Sequence, residues 1–466
     1  MLRASEACER GGFPTSSLVC EGFLGQAAAT SVGLGMPNLP VALIPGHPGA
    51  QSLEELRANV HNVTAQQVID NLLTQPDQKE MPSEPTAREI VFRGTFEEVN
   101  DYFYEREWSD GLPIVPPSIE KIEEFLSYTD HRPEESLGIL APESRAATIW
   151  AVAVNGVMAG CRPEYMPILV ALAQAMADPF YGVEHSGNTP GPETLIILNG
   201  PIIKDLNFNY TQGVLRDGFM PNTSVGRFWR LALRNMAGFL LHKTDKATFG
   251  NTFRVVLAEN EDAIAKIGWL PNSVDMGFAA GDNTVTITRL TGGGVLPSVT
   301  GSRPEEMMPY LADGVAKQTG WEIIFTVGGF AIGTLRPVLV LSPILAETIA
   351  RAGWSKDDVK RYLFDHARMP AWRVEALTDK WADFPIGSLK QQVNLGRLPK
   401  EFHESDDPNR LVPIVLEPDD FIVLVSGDPL RTNAYSFAHN GCLGFPTAKK
   451  IELPKDWTER IRRIRK

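Results

Sequence analysis

The stretch Asn155–Pro201, NGVMAGCRPEYMPILVALAQAMADPFYGVEHSGNTPGPETLIILNGP, decides the fold class. It reads as a helix end, a Gly160-Cys161 junction, and a second helix with Met166, Leu169, Val170, Ala173 and Met176 on one face. A Gly/Pro-rich loop holding His185 follows, and then a buried strand, Thr194–Leu198, that stops at Asn199-Gly200-Pro201. Helix packed on buried strand is the signature of layered α/β architecture.

Downstream the pattern continues. An amphipathic helix over Ser224–Leu241 carries Arg227, Arg230 and Arg234, and strands are predicted at Phe253–Ala258 and Thr284–Thr288. A helix over Pro304–Gly320 precedes a strand at Glu322–Val327. A strand over Pro337–Leu341 enters a helix at Pro343, and after Gly353-Trp354-Ser355 another helix runs to Arg368. A last strand is predicted at Phe421–Ser426. Thr291-Gly292-Gly293-Gly294 and Val327-Gly328-Gly329 read as glycine turns, and 372–410, with weak periodicity, as an extended arm. No sequence repeat is evident, although helix after strand recurs often enough to leave a structural duplication open.

Upstream, Ala146–Met158 reads as a core helix, Trp108–Pro117 as a fixed loop, and Thr95–Arg106 and Ser118–Tyr128 as helices. Residues 1–75 form a separate alternation: helix end Leu2–Arg10, strand Thr15–Cys20, helix Gly22–Gly33, strand Pro40–Pro45 and helix Ser52–Leu73, the last opened by a Ser52/Glu55 capping box. The chain enters this unit in mid-helix, so its first strand is expected from elsewhere or from residues preceding Met1. Polar, Pro-bearing residues around 76–89 read as a linker. The fold class is therefore α/β: a small parallel α/β N-terminal domain at 1–75 and a large mixed α/β domain at 90–466.

A length of 466 residues exceeds one ordinary core, and 43% hydrophobic with 22% charged residues is a globular composition. A formal charge of −13 argues against nucleic acid as the main partner, since phosphate neutralisation needs a basic surface. The tail Arg460–Lys466 is a local exception, read as a solvated helix end. Cys8, Cys20, Cys161 and Cys442 show no CxxC spacing, which fits a reduced, cytoplasmic protein. No apolar run reaches the ~20 residues of a membrane span, and no basic segment leads into a hydrophobic signal core. No membrane partner is expected.

Cys161, just before Arg162-Pro163, would stand at the positive end of a helix, a setting that lowers a thiol pKa; a buried structural cysteine is the competing reading. His185 sits in a loop able to approach a ligand and is the usual proton carrier near neutrality; backbone bonding is its bland alternative. Asn199 ends a buried strand, where open α/β sheets bind ligands. Asn222, Ser224 and Arg227 at a helix start would make an anion site, unless they merely cap the helix. Glu259 and Glu261 are candidate metal ligands, with a solvated strand end favoured over that role. His366 reads as a helix-end cation. The cofactor is unknown: neither GxGxxG nor a P-loop is present, so there is no nucleotide-binding fingerprint, and no HExxH or GxSxG is found. A metal stays possible.

Three segments carry a resemblance: Glu9-Arg10-Gly11-Gly12-Phe13-Pro14-Thr15, Leu34-Gly35-Met36-Pro37-Asn38-Leu39-Pro40 and Pro45-Gly46-His47-Pro48-Gly49. Over about residues 1–75 the chain resembles the UGSC-like family, small α/β proteins named for a selenocysteine or cysteine, Gly-Ser-Cys motif and distantly similar to selenoprotein subunits of glycine-type reductases. That motif lies just upstream of the helix where this chain begins and is absent here. Cys8 does not match it, so the resemblance assigns no redox residue. The region from Asp110-Gly111-Leu112-Pro113 to Gly353-Trp354-Ser355-Lys356 looks like the uncharacterised part found beside such domains.

The resemblance implies an enzyme of small-molecule metabolism. The expected substrate is a small anionic metabolite, handled by thiol or acid/base chemistry of redox or lyase type. Cys161 would be nucleophile or redox thiol and His185 the acid/base, with Arg227, Asn222, Asn199 and Arg162 holding the substrate. A homo-oligomer is expected. The alternatives are a metal-dependent hydrolase or lyase using His185, and a non-catalytic subunit serving as a binding scaffold.

Overall fold

The computed structural model describes residues 2–74, 85–252, 255–328, 333–381, 386–439 and 444–464. Most of the expected linker lies outside them.

In the N-terminal unit β1 (Ser17–Cys20) and β2 (Val41–Ile44) run parallel, Ser17 opposite Val41 and Cys20 opposite Ile44. Helix Leu24–Gly33 makes the crossover between them. The expected capping box forms: Ser52 Oγ accepts from Glu55 N–H while the Glu55 carboxylate accepts from Ser52 N–H. From there the chain stays helical to Leu73, through a π turn at Val60–Thr64. This helical stretch covers the outer edge of β2 with side chains. Gln67 Oε1 accepts from Leu43 N–H (2.7 Å), Thr64 Oγ1 donates to the Leu43 carbonyl (2.7 Å), and Asn71 Nδ2 donates to the Val41 carbonyl (3.0 Å). The unit docks on the large domain through Gly33, where a Cβ would lie 2.4 Å from the Pro142 carbonyl oxygen.

The large domain opens with helices Phe96–Glu105 and Ile119–Leu126, followed by an antiparallel pair, β3 (Ser136–Leu140) and β4 (Arg145–Thr148). Its main sheet is built from β5 (Glu193–Asn199), β6 (Val256–Ala258), β7 (Thr284–Leu296) and β8 (Val338–Leu341). A small antiparallel pair, β9 (Arg368–Pro370) and β10 (Leu411–Pro413), stands apart, after which β11 (Ile422–Val425), β12 (Ala434–His439) and β13 (Thr447–Lys450) rejoin the sheet. The order is β11-β8-β12-β7-β5-β6, with β13 also on β7. This order is symmetric: two antiparallel central strands flanked on each side by a parallel pair.

The period-two alternation of strands explains the layering. Leu195, Ile197, Leu257, Leu290, Val338, Val340, Ile422, Leu424 and Phe437 meet inside the curled sheet. Ile196 and Leu198 point outward against helices Ile149–Met158 and Met166–Ala177, and Leu339, Leu341, Val423 and Val425 against helices Pro304–Thr319 and Pro343–Arg351. Helix Met166–Ala177 is buried at ten of its twelve positions, so it is a core helix on all sides and not on the one expected face. The sheet curls until its two ends touch: Asn260 N–H donates to the Val425 carbonyl (2.8 Å) and Ser426 Oγ to the Ala258 carbonyl (2.8 Å).

Several expectations are corrected. Glu322–Val327 is helical from Ile323, because a short apolar run buried all round carries no period to tell helix from strand. Thr291–Gly294 is no turn but the middle of β7; a Cβ on Gly293 would sit 2.6 Å from the Tyr435 ring, so packing requires the glycine. The Gly328-Gly329 turn lies partly outside the described residues. Ala146–Met158 divides into β4 and the helix that Thr148 caps. The supposed arm at 372–410 contains helices Ala371–Asp379 and Leu389–Asn394, with Val374, Leu389, Leu398 and Phe402 buried in a core.

A short repeat is also present. Ile264-Ala265-Lys266-Ile267-Gly268-Trp269 and Ile349-Ala350-Arg351-Ala352-Gly353-Trp354 each end a helix at a left-handed glycine, φ 71° and 88°. The two copies pack together, Trp269 Nε1 donating to the Trp354 carbonyl (2.9 Å).

Candidate functional site

The residues singled out in the sequence do not gather at one place. Cys161 is half-buried behind a helix C-terminus, where Gly160 takes φ 77° and Cys161 N–H closes on the Gly156 carbonyl (3.1 Å). The following helical turn starts at Pro163 with Arg162 as its cap, so the thiol is not at a helix N-terminus. Burial pushes it up to about 12, against a Ser224 hydrogen bond and the Arg227 charge. Such a thiol is a neutral group near pH 7 and a poor nucleophile. Iodoacetamide at pH 8 should therefore label exposed Cys8 and spare Cys161, as read by peptide mass spectrometry.

His185 lies in the turn Val183–His185, beyond the far end of helix Met166–Ala177 from Cys161. Twelve residues at 1.5 Å each separate the two by roughly 18 Å of helix alone. They form no catalytic pair. Burial lowers the His185 pKa, with the Arg289 and Arg3 charges adding to it and Glu184, at 3.9 Å, opposing.

The expected anion site is also differently occupied. The helix begins at Met220, so Asn222 and Ser224 lie inside it and offer no cap. Asn222 Oδ1 accepts from Asn209 N–H (2.8 Å), and its Nδ2 donates to the carbonyls of Asn209 and Val256 (both 2.9 Å). Arg227 holds Asp110 with two bonds, Nε to Oδ2 (3.1 Å) and Nη2 to Oδ1 (2.9 Å), and also reaches the Leu112 and Pro113 carbonyls. Arg162 is exposed, 3.9 Å from Glu164.

Of these residues, Asn199 alone stands where the strand ends converge. Because the sheet curls closed, the carboxyl ends of both parallel pairs, β5-β6 and β8-β11, converge, and carboxyl ends are where α/β sheets bind ligands. Glu259 sits at the convergence, 1% exposed. Its Oε2 accepts from Asn199 Nδ2 (2.7 Å) and Asn272 N–H (2.8 Å), and its Oε1 from Val425 N–H (3.4 Å). The Asn199 amide also donates to Glu261 Oε1 (3.1 Å), which accepts from Gly200 N–H as well (2.7 Å). One amide thus bridges a buried carboxyl and a half-exposed one. Burial raises the Glu259 pKa, with the Lys356 charge and the three N–H donors opposing. Among the described residues, Asn199 Oδ1, Thr284 Oγ1 and Ser342 Oγ, all buried, have no hydrogen-bond partner. Buried polar groups left over in this way are usually met by water or ligand.

The rim carries Asp262, bonded to Lys204 (2.5 Å) and Tyr210 (3.2 Å). Three carboxyl groups thus surround the place, and Lys204 on its rim is engaged with Asp262. Sequence reasoning favoured a solvated Glu259; the structure buries it. Ser342 and Ser426 were not singled out. Their signal is that Leu198-Asn199-Gly200, Leu341-Ser342-Pro343 and Val425-Ser426-Gly427 each end an apolar strand on a small polar residue before Gly or Pro.

Among the described residues no group of three His, Cys, Asp or Glu side chains is placed to hold a metal, and no helix is long and apolar enough to cross a membrane. His366 ends its helix against the Tyr362 ring, 4.0 Å between centroids. No curated protein and no solved structure matches the chain. The model of the UGSC family matches residues 1–74, the parallel α/β unit that carries β1 and β2, and this N-terminal unit is a UGSC-like domain.

Proposed function

We propose that the protein is an enzyme of small-molecule metabolism that moves protons on a small polar metabolite where the four strand ends meet. The observation that carries this reading is the Asn199 amide shared between buried Glu259 and half-exposed Glu261. Two carboxyls in unlike environments divide acid and base roles. Glu259, with its pKa raised, holds the proton; Glu261 accepts one; Asn199 Oδ1 offers an acceptor to orient the substrate. The Glu261 and Asp262 carboxylates favour a neutral or cationic substrate over the anion expected from Arg227, which is engaged with Asp110.

A screen for binders comes first, so the substrate can be found and tested together. A panel of small hydroxy and amino compounds is screened on the full chain by thermal shift, and binders are incubated in D2O with mass detection. The expected result is a binder that gains deuterium with the wild type, loses it with Glu259→Gln, and no longer binds Asn199→Ala or Glu261→Gln. A binder that depends on Arg162 and tolerates both of those changes overturns the reading.

The pH sign follows. Glu259 has a higher pKa folded than unfolded, so its favourable contribution is present at low pH and lost as pH rises through the folded value. Deuterium incorporation and melting temperature should both fall through that range. The melting-temperature component should vanish in Glu259→Gln.

A further inference from the structure

Helix Lys356–His366 puts two lysines where lysines are rare. Lys356 and Lys360 are 5% and 7% exposed, and a lysine is almost never fully buried unless paired. Both reach one carboxylate: Asp275 Oδ2 lies 3.1 Å from Lys356 Nζ and 3.6 Å from Lys360 Nζ. Asp419 is 3.8 Å from Lys360, but its side chain is 79% exposed and water screens it. A spacing of four sets the two like charges on one helix face, which is unfavourable. Lys356 also opens the helix, at the end of the dipole that repels a cation. One lysine suffices to neutralise Asp275. The second is a surplus positive charge in a buried layer.

Asp275 leads to the site. It closes the short helical turn Asn272–Asp275, whose first residue donates its N–H to Glu259 Oε2 (2.8 Å) and its side-chain amide to Thr286 Oγ1 (3.1 Å). The turn is fixed at one end by the buried carboxyl and at the other by two ammonium groups. On its other sides Glu259 meets neutral donors. Strand β5 brings the Asn199 amide, which also holds Glu261, and β11 brings the Val425 N–H with neutral Ser426 next to it. The charge that acts most on Glu259, against burial, is that of Lys356.

We propose that Lys356 is a positioning residue for the Glu259 acid: anchored on Asp275, it keeps the Asn272 N–H on that carboxyl and holds a fixed positive charge that acts on it. The inference rests on the reading of Glu259 as the proton donor. A carboxyl buried without a cation in reach keeps its proton too firmly to pass it on. A general acid works best with its pKa near the working pH, and Lys356 draws Glu259 back toward that range. Lys360 takes the structural share, because it stays on Asp275 when Lys356 is replaced.

Infrared pH titration of the full chain tests this without turnover. The protonated-carboxyl stretch of Glu259 is identified by its loss in Glu259→Gln. The Lys356 charge favours the ionised carboxyl, so Lys356→Met should move the midpoint of that band to higher pH. Lys356→Arg, which keeps the charge, and Lys360→Met, which keeps Lys356 on Asp275, should leave it at the wild-type position. An unmoved midpoint in Lys356→Met, or an equal shift in Lys360→Met, overturns the proposal. Should Lys356→Met fail to fold, Lys356→Gln, which keeps a donor for Asp275, decides. If the midpoint moves while no compound gains deuterium, the control of Glu259 by Lys356 stands and the reading of the function falls.

Discussion

Asp110→Ala is expected to destabilise the large domain by about 3–5 kcal/mol, the usual cost of stripping one partner from a buried ion pair. The Asp110 side chain is 3% exposed and Arg227 16%, so the guanidinium left behind keeps little water to replace two strong bonds. Its remaining contacts, the Leu112 and Pro113 carbonyls, are dipoles and not charges. The loss should appear as a lower urea midpoint with an unchanged slope. Asp110→Leu combined with Arg227→Met should recover much of it, because removing both charges also removes their desolvation cost. If Asp110→Ala costs under about 1 kcal/mol, the scale of an exposed pair, then Arg227 is not committed to the fold and an anion-binding role returns.

Gly200→Ala should be comparably damaging, and its damage should extend to the site. The residue has φ 100°, a conformation that L side chains rarely adopt. A Cβ there would lie 2.5 Å from Asn283 Oδ1 and 2.6 Å from both Asn283 Cα and the Asp282 carbonyl. Backbone strain of about 1–3 kcal/mol then adds to an overpacking cost of about 1–3 kcal/mol. Relief requires Gly200 to move, which breaks its N–H bond to Glu261 and displaces the carboxylate that Asn199 shares. Thermal melting should report the first effect and loss of ligand-induced shift the second. Gly22→Ala is the control: nothing lies within 4 Å of the added methyl, and both readouts should stay at wild type.

The parts of the molecule legible in the sequence are those written in neighbouring residues. Ser52 and Glu55 announce their helix because a capping box spans a single turn. The apolar run before Asn199 announces a buried strand. The α/β class follows from such local signals, and so does the placing of Asn199-Gly200-Pro201 at the carboxyl end of a buried strand. Function assigned from one residue's surroundings fared differently. Arg227 looks like an anion binder until Asp110, 117 positions away, is seen to hold it. Cys161 looks activated by a helix start, but the chain folds so that burial holds its thiol protonated. Glu259 looks like a solvated strand end because nothing near it in the chain shows that Val425 will close over it.

That closing contact has a kinetic side. Glu259 and Val425 lie 166 residues apart, and contacts of such separation form late because the intervening loop must be ordered before they repay it. The two parallel pairs can each assemble from nearer partners, but the meeting of β6 with β11 waits for both. In refolding, secondary structure should therefore recover before the carboxyl of Glu259 loses contact with water, and ligand binding should return with the slowest phase. A chain stopped before β11 would keep Asn199 and both glutamates yet have no enclosed acid.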